Sequence, residues 1–234
     1  MPEILTIEST DSRPWSARVY EPLTESDHGL AFVFAHGAGA GRTHAFMLDY
    51  ATALCDRGVT VVTFNFPYME RGRRLPDRRD TLEACYRDVL CELRGRSALS
   101  GRSLFIGGKS MGGRMATYVA AAMAAEEREA LAGVVLLGYP LHPPGQPNRL
   151  RAAHLPDVGV PMLFVQGTRD TFGTPSDLDQ VLAGIAAVTI WPVRAGDHSF
   201  KVPARAGSQA SVHAAVQDAI VAWMADVCRH RRAM

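Results

Sequence analysis

The segment FIGGKSMGGRMA, Phe105 to Ala116, carries two possible chemistries in one string of residues. Gly108-Lys109-Ser110 has the form of the end of a phosphate-cradling loop, in which the serine would hold magnesium. Gly108-Lys109-Ser110-Met111-Gly112 also has the spacing of a nucleophile elbow, in which the same serine attacks a carbonyl. A phosphate cradle needs another glycine well upstream, so that consecutive backbone N–H groups wrap the phosphates. Ser103 stands at that place, and Leu104, Phe105, Ile106 and Gly107 read as a buried strand. The elbow meets no such conflict. It needs a strand before the serine, a helix after it, and glycine two residues to either side, because the strained turn is crowded. Ser103 to Gly107 supplies the strand. Met115, Ala116, Val119, Ala120 and Met123 supply an apolar stripe at helical spacing.

A serine hydroxyl is a poor nucleophile until a base takes its proton. Where an elbow tops a parallel sheet, the partners follow in the order serine, acid, histidine. The run Met162 to Val165 leads into Gln166-Gly167-Thr168-Arg169-Asp170. That puts Asp170 at the C-terminal end of a strand, the edge at which open parallel sheets hold their sites. The run Val188 to Trp191 leads to Gly196-Asp197-His198-Ser199-Phe200, ahead of the last helix, so His198 is the candidate base. Rival carboxylates are less well placed. Asp177 and Asp179 fall inside the next helix, and Asp197 adjoins His198, where it is badly placed to orient the ring. A lone loop histidine is usually just solvated, and His28, His44, His142, His154, His213 and His230 include several of that kind. Ser110, Asp170 and His198 are thus the expected catalytic set.

Acyl transfer also needs two backbone N–H donors aimed at the developing negative oxygen. One falls to Met111, directly after the nucleophile. The other falls to His36-Gly37-Ala38-Gly39-Ala40-Gly41, a loop whose small residues admit close approach of backbone to substrate. Ala38 is the candidate donor there, with Gly37 its rival. The segment FNFPYMERGRRLPDRR, Phe64 to Arg79, leaves a strand at the same edge. Tyr68 and Met69 are candidate apolar walls of the pocket. Arg71, Arg73 and Arg74 are candidate readers of an anionic part of the substrate, since a guanidinium matches two oxygens at once. The competing reading of these arginines is a solvated or internally paired loop. Arg78 and Arg79 read as helix-start residues.

These positions require an alternating frame. Ile4 to Ile7 and Ala17 to Tyr20 read as short strands, and Leu30 to Ala35 as a buried one. Phe46 to Arg57 reads as a helix stopped by Gly58, and Thr60 to Phe64 as a strand. Arg79 to Arg94 is helical, with Leu82, Tyr86, Val89 and Leu93 on one face. Val134 to Leu137, Met162 to Val165 and Val188 to Trp191 are further strands, and Pro175 to Leu182 a helix. The last helix runs near Gln209 to Cys228, with Val212, Val216, Ile220, Trp223 and Val227 inward. Such alternation predicts an α/β fold with a mostly parallel central sheet of about seven or eight strands, covered by helices on both faces. Tyr139 to Pro161 is proline-rich and reads as loop, too short for a large lid domain.

At 234 residues the chain fits a single domain, 1–234, with a substantial core. A formal net charge of +1 gives no electrostatic footprint for nucleic acid. No apolar run reaches the length of a membrane span, and MPEILTIESTDSRPW lacks the basic-then-apolar plan of a signal peptide. Cys55, Cys85, Cys91 and Cys228 form no Cys-x-x-Cys pair and lie in helical patterns, which points to free buried thiols in a reducing cytoplasm rather than to a metal site.

Six segments carry a resemblance to a known family: FAHGAGAG, FNFPYMERGRR.PD, GGKSMGGRMA, GYPLHPP, VQGTRD.FG and GDHSFKVP, spread from Phe34 to Pro203. They resemble the α/β-hydrolase superfamily in its dienelactone-hydrolase-like branch. The likeness is nearest to the small group named for a testis-expressed protein, which includes a scaffolding subunit of the NSL chromatin complex. The resemblance implies the α/β-hydrolase fold and the order Ser110, Asp170, His198. Dienelactone hydrolase itself uses a cysteine nucleophile where this chain has Ser110, so its substrate is not carried over. The expected protein is a serine hydrolase acting on a small acyl substrate through an acyl-enzyme, with no metal or cofactor required. Carboxylester, thioester and small peptide bonds all meet these demands. The rival expectation is a hydrolase-like binding or scaffolding protein; no particular protein partner is indicated.

Overall fold

The computed structural model describes residues 5–8 and 15–233. Among the described residues eight strands form one sheet: β1 (Leu5–Glu8), β2 (Ser16–Tyr20), β3 (Leu30–Ala35), β4 (Val59–Phe64), β5 (Ser103–Lys109), β6 (Leu131–Leu137), β7 (Met162–Gly167) and β8 (Val188–Val193). Their order across the sheet is β1-β2-β4-β3-β5-β6-β7-β8. The first two are antiparallel to their neighbours, and every pairing from β4 to β8 is parallel. Among the described residues seven α-helices accompany them: α1 (Ala45–Cys55), α2 (Pro67–Glu70), α3 (Arg79–Arg94), α4 (Met111–Ala121), α5 (Ala125–Glu129), α6 (Pro175–Leu182) and α7 (Gln209–Arg232).

The inner strands are apolar along their whole length because both faces are covered. Their period of two divides the core. Val33 and Ala35 of β3, Ile106 of β5, and Met162 and Phe164 of β7 face one layer, with Leu82, Tyr86 and Val89 of α3, Met115 and Val119 of α4, and Leu178 of α6. Phe32 and Phe34, Phe105, and Leu163 and Val165 face the other, with Met47, Tyr50 and Leu54 of α1 and Val216, Ile220 and Met224 of α7.

Topology places the site. From β3 the chain steps outward to β4, then returns across β3 to β5. The connections above β3 and β5 therefore diverge, and a crevice opens at their C-terminal ends. Ala35 pairs with Gly108 there, so the loop after β3 and the turn after β5 lie side by side.

Most elements fall where the pattern of residues predicts, with differences at their ends. Residue 4 of the first expected strand lies outside the described residues. Helix α1 stops at Cys55, two residues short of expectation, because 56–58 form the turn into β4. Strand β6 begins at Leu131 rather than Val134: a register shift against β5, between Leu104 and Phe105, breaks the alternation near Gly133. Helix α7 continues to Arg232, its last turn carrying Arg229, Arg231 and Arg232, cations that suit a helix C-terminus. Val216, Ile220 and Val227 are buried on it as expected, whereas Val212 and Trp223 are only half-buried. The segment between β6 and β7 holds a single short helical turn, Leu155–Val158, and no lid domain exists among the described residues. The four cysteines form no disulfide; three are buried, but Cys91 is exposed on the outer face of α3. No helix among the described residues is long and apolar enough to cross a membrane.

Candidate active site

Ser110 stands between β5 and α4 with φ 50° and ψ −113°, a left-handed-side conformation that a non-glycine residue adopts only when its surroundings enforce it. The surroundings here are two glycines. A Cβ at Gly108 would lie 2.5 Å from the Ala35 oxygen, and one at Gly112 would run into the Ala35 and His36 carbonyls. Strand β3 and helix α4 thus press on the turn from both sides, and the serine projects over the sheet edge.

The turn after β7 brings Asp170 to the same edge, and the loop after β8 brings His198. His198 Nε2 lies 2.8 Å from Ser110 Oγ, and His198 Nδ1 lies 2.8 Å from Asp170 Oδ2. Asp170 is only 3% exposed, and each of its oxygens has further donors. Gln166 Nε2 donates to Oδ2 at 2.9 Å and the Phe172 N–H to Oδ1 at 2.8 Å. Gln166 is itself fixed, accepting from the Tyr139 N–H at 2.8 Å and donating to the Gly173 carbonyl at 2.7 Å. With Asp170 accepting at Nδ1, the imidazole keeps its proton there and leaves Nε2 free to accept from the serine. Phe172 packs against the other side of the ring, 4.3 Å between centroids.

Asp197, the neighbour of His198, does different work. Its Oδ1 accepts from the backbone N–H groups of Ser199 at 2.8 Å and Lys201 at 2.9 Å, which shapes the loop and turns the carboxylate away from the imidazole.

Met111 opens α4, so its N–H is one of the free donors of a helix start. The loop from His36 to Gly41 faces it, with a Cβ built on Gly37 falling 3.7 Å from Ser110 Cβ. Two side chains behind this loop decide which way its peptides point. Tyr68 Oη lies 3.0 Å from the Ala38 carbonyl and 3.3 Å from that of Gly37, holding both oxygens away from the cavity. His36 is fully buried, and burial drives its pKa down to about 4, so the ring is neutral. Its Nε2 accepts from the Phe66 N–H at 3.1 Å, and its Nδ1–H donates to the Gly37 carbonyl at 2.7 Å.

A cavity of about 690 Å³ opens over Ser110 and His198. Its walls include Gly37, Ala38, Phe46, Tyr50 and Phe172, and its cations are Lys109 and Lys201. Tyr68, Met69, Arg71, Arg73 and Arg74 are not among the lining residues, which differs from the expectation for the segment after β4. The reason is α2. Pro67 starts a helical turn just past the end of β4 at Phe64, Tyr68 is buried beneath the loop from His36 to Gly41, and Met69 packs against Gly41. Arg71, Arg73 and Arg74 are carried outward as exposed residues, with Arg73 4.0 Å from Asp77. The residues that reasoning from sequence missed are Lys109, Phe172 and the cluster Phe46, Tyr50, Gln209 and His213. Lys109 stood inside the motif itself, and Phe172 two residues past the acid. The cluster joins α1 to α7 and has no local signal.

The fold recurs in solved structures. A dienelactone hydrolase from Anabaena variabilis is similar at 20% identity, with a TM-score of 0.70 over 93% of this chain and 96% of that one. An alpha/beta serine hydrolase without lid from Xanthomonas campestris is similar at 21% identity, TM-score 0.69, over 95% and 94%. An alpha-beta serine hydrolase homologue from Coxiella burnetii is similar at 16% identity, TM-score 0.65, over 84% and 88%. The family model of the alpha/beta hydrolase domain matches residues 28–225, a span that includes Ser110, Asp170 and His198. The chain belongs to the alpha/beta hydrolase domain family.

Proposed function

We propose that this chain is a single-domain serine hydrolase that cleaves a carboxylester or thioester of a small acyl substrate. The observation that carries the reading is the continuous path Ser110 Oγ, His198 Nε2, His198 Nδ1, Asp170 Oδ2, with 2.8 Å at each hydrogen bond. Ser110 Oγ attacks the carbonyl carbon while His198 Nε2 takes its proton. Asp170 stabilises the imidazolium that results. The N–H groups of Met111 and Ala38, with Gly37 as the rival to Ala38, receive the oxyanion. His198 then returns the proton to the leaving oxygen or sulfur, which departs and leaves an acyl-Ser110. Water attacks that ester, again losing its proton to His198, and Ser110 is regenerated. The structural likeness to a dienelactone hydrolase supports ester-type chemistry, and the four cysteines without a disulfide fit a reducing cytoplasmic setting.

The second reading is a hydrolase-like scaffold. It is favoured by the sequence likeness to the testis-expressed-protein group, whose NSL-complex member is a scaffold. Labelling with a fluorophosphonate probe separates the two. The hydrolase reading expects one labelled site, lost in Ser110→Ala together with esterase turnover while the fold persists. An unlabelled, inactive wild-type protein would establish the scaffold instead.

A further inference from the structure

Away from the triad, the cavity is walled by a hydrogen-bonded chain that runs from α7 to α1, and its polarity can be read atom by atom. Gln209 Oε1 accepts from the Val202 N–H at 3.0 Å, which identifies the oxygen end of that amide. Gln209 Nε2 donates to the Phe200 carbonyl at 2.8 Å and stands 2.9 Å from His213 Nε2. An amide nitrogen only donates, so His213 Nε2 accepts and carries no proton. Burial lowers the His213 pKa, in keeping with a neutral ring. The ring proton is therefore on Nδ1, and Nδ1 lies 2.9 Å from Tyr50 Oη. The phenol oxygen accepts from it. Burial also raises the Tyr50 pKa, so the phenol keeps its own proton.

That proton has no acceptor among the described residues: His213 is the one hydrogen-bond partner of the Tyr50 hydroxyl, and it is already donating. Tyr50 is 1% exposed, and a buried donor without an acceptor is unfavourable. Phe46 stacks on the phenol ring at 4.3 Å between centroids and holds it in place. Tyr50, His213 and Gln209 line the same cavity as Ser110 and His198.

We propose that Tyr50 is a specificity residue whose hydroxyl, held as a donor by Gln209 and His213, binds an oxygen of the substrate remote from the scissile bond. The substrate class is then an acyl compound bearing an oxygen acceptor, such as a keto or ether oxygen, in preference to an all-carbon chain. Gln209 and His213 are positioning residues that act through Tyr50. The proposal rests on the serine-hydrolase reading above.

The test uses the full chain and a series of p-nitrophenyl esters in which a keto or ether oxygen replaces successive methylenes of the acyl chain. At one position in the series, wild type should prefer the oxygen-bearing ester by about five- to tenfold in kcat/KM, the worth of one hydrogen bond. In Tyr50→Phe the ratio should fall to near one. Long-range 1H–15N correlation of the His213 ring, assigned with a His213→Gln control, should show the neutral Nδ1–H form at pH 7. Turnover of the esters with no preference anywhere in the series, or with a preference that survives in Tyr50→Phe, overturns this inference alone. A ring protonated at Nε2 overturns it as well. Turnover of none of the esters by wild type overturns the hydrolase reading, and this inference with it.

Discussion

The ammonium of Lys109 donates to the backbone carbonyl of His198 across 2.7 Å, so the residue before Ser110 holds the loop that carries His198. Lys109 is only 8% exposed, and burial lowers its pKa from 10.5 to about 8, opposed by the attraction of Asp170 and Asp197. Because the unfolded chain holds that proton up to a higher pH, stability rises as pH increases from about 8 to 10.5. At pH 7 the buried charge is therefore a cost to folding, set against its hold on the His198 carbonyl.

Lys109→Met tests this trade. The variant should be more stable than wild type at pH 7, by at most about 3 kcal/mol, and should lose the rise in stability above pH 8. Its kcat should drop about tenfold, because the His198 loop loses its tether. Urea titrations at pH 7 and pH 10, alongside ester kinetics, measure both. A variant with unchanged kcat would show that the loop needs no such hold.

The two neighbouring carboxylates should behave differently. In Asp170→Asn the amide offers a donor where His198 Nδ1–H needs an acceptor, so the imidazole is held in the wrong tautomer, and kcat should fall by about 10⁴. Asp197→Asn keeps an oxygen for the Ser199 and Lys201 N–H groups and should change kcat less than about threefold. Steady-state kinetics of the two variants rank them, and the reverse order would reassign the acid.

Tyr68→Phe removes the hydroxyl that stands behind the Gly37 and Ala38 carbonyls. The ring packing survives, but the peptides are freer to rotate. Since the donors matter most in the transition state, kcat should fall about tenfold with KM nearly unchanged. A change confined to KM would mean that Tyr68 serves substrate binding and not the oxyanion.

His36 sets an acid limit on stability. Its pKa is lowered from 6.5 to about 4 in the folded protein, mainly by burial. Between those values the unfolded chain binds the extra proton, so the contribution is full above pH 6.5 and lost as pH falls towards 4. The loss amounts to about 3 kcal/mol, and the half-buried His154, lowered to about 4 chiefly by burial, acts in the same direction. His36→Gln, which keeps an acceptor for the Phe66 N–H, should flatten the fall in denaturation midpoint over that range. An equal slope in variant and wild type would place the acid sensitivity elsewhere.

Much of this molecule was legible from residue order alone. The elbow is a local structure: Gly108 and Gly112 are demanded by contacts with Ala35 and His36 that any strand-turn-helix of this kind makes. The alternation of strands with helices has a period that can be read along the chain, and it placed Ser110, Asp170 and His198 beyond β5, β7 and β8 at one sheet edge. Tertiary structure alone decided the rest, because it turns on where remote segments meet. Pro67 starts a turn that buries Tyr68 and exposes Arg71, Arg73 and Arg74, so a segment leaving the correct edge does not line the cavity. Tyr50 and His213 meet because α1 and α7 pack on the same face of the sheet, a contact between residues far apart in the chain that no periodicity encodes. Asp170 and Asp197 are alike as residue types. What separates them is a hydrogen bond of 2.8 Å to His198 Nδ1, which exists only once β7 and β8 lie side by side.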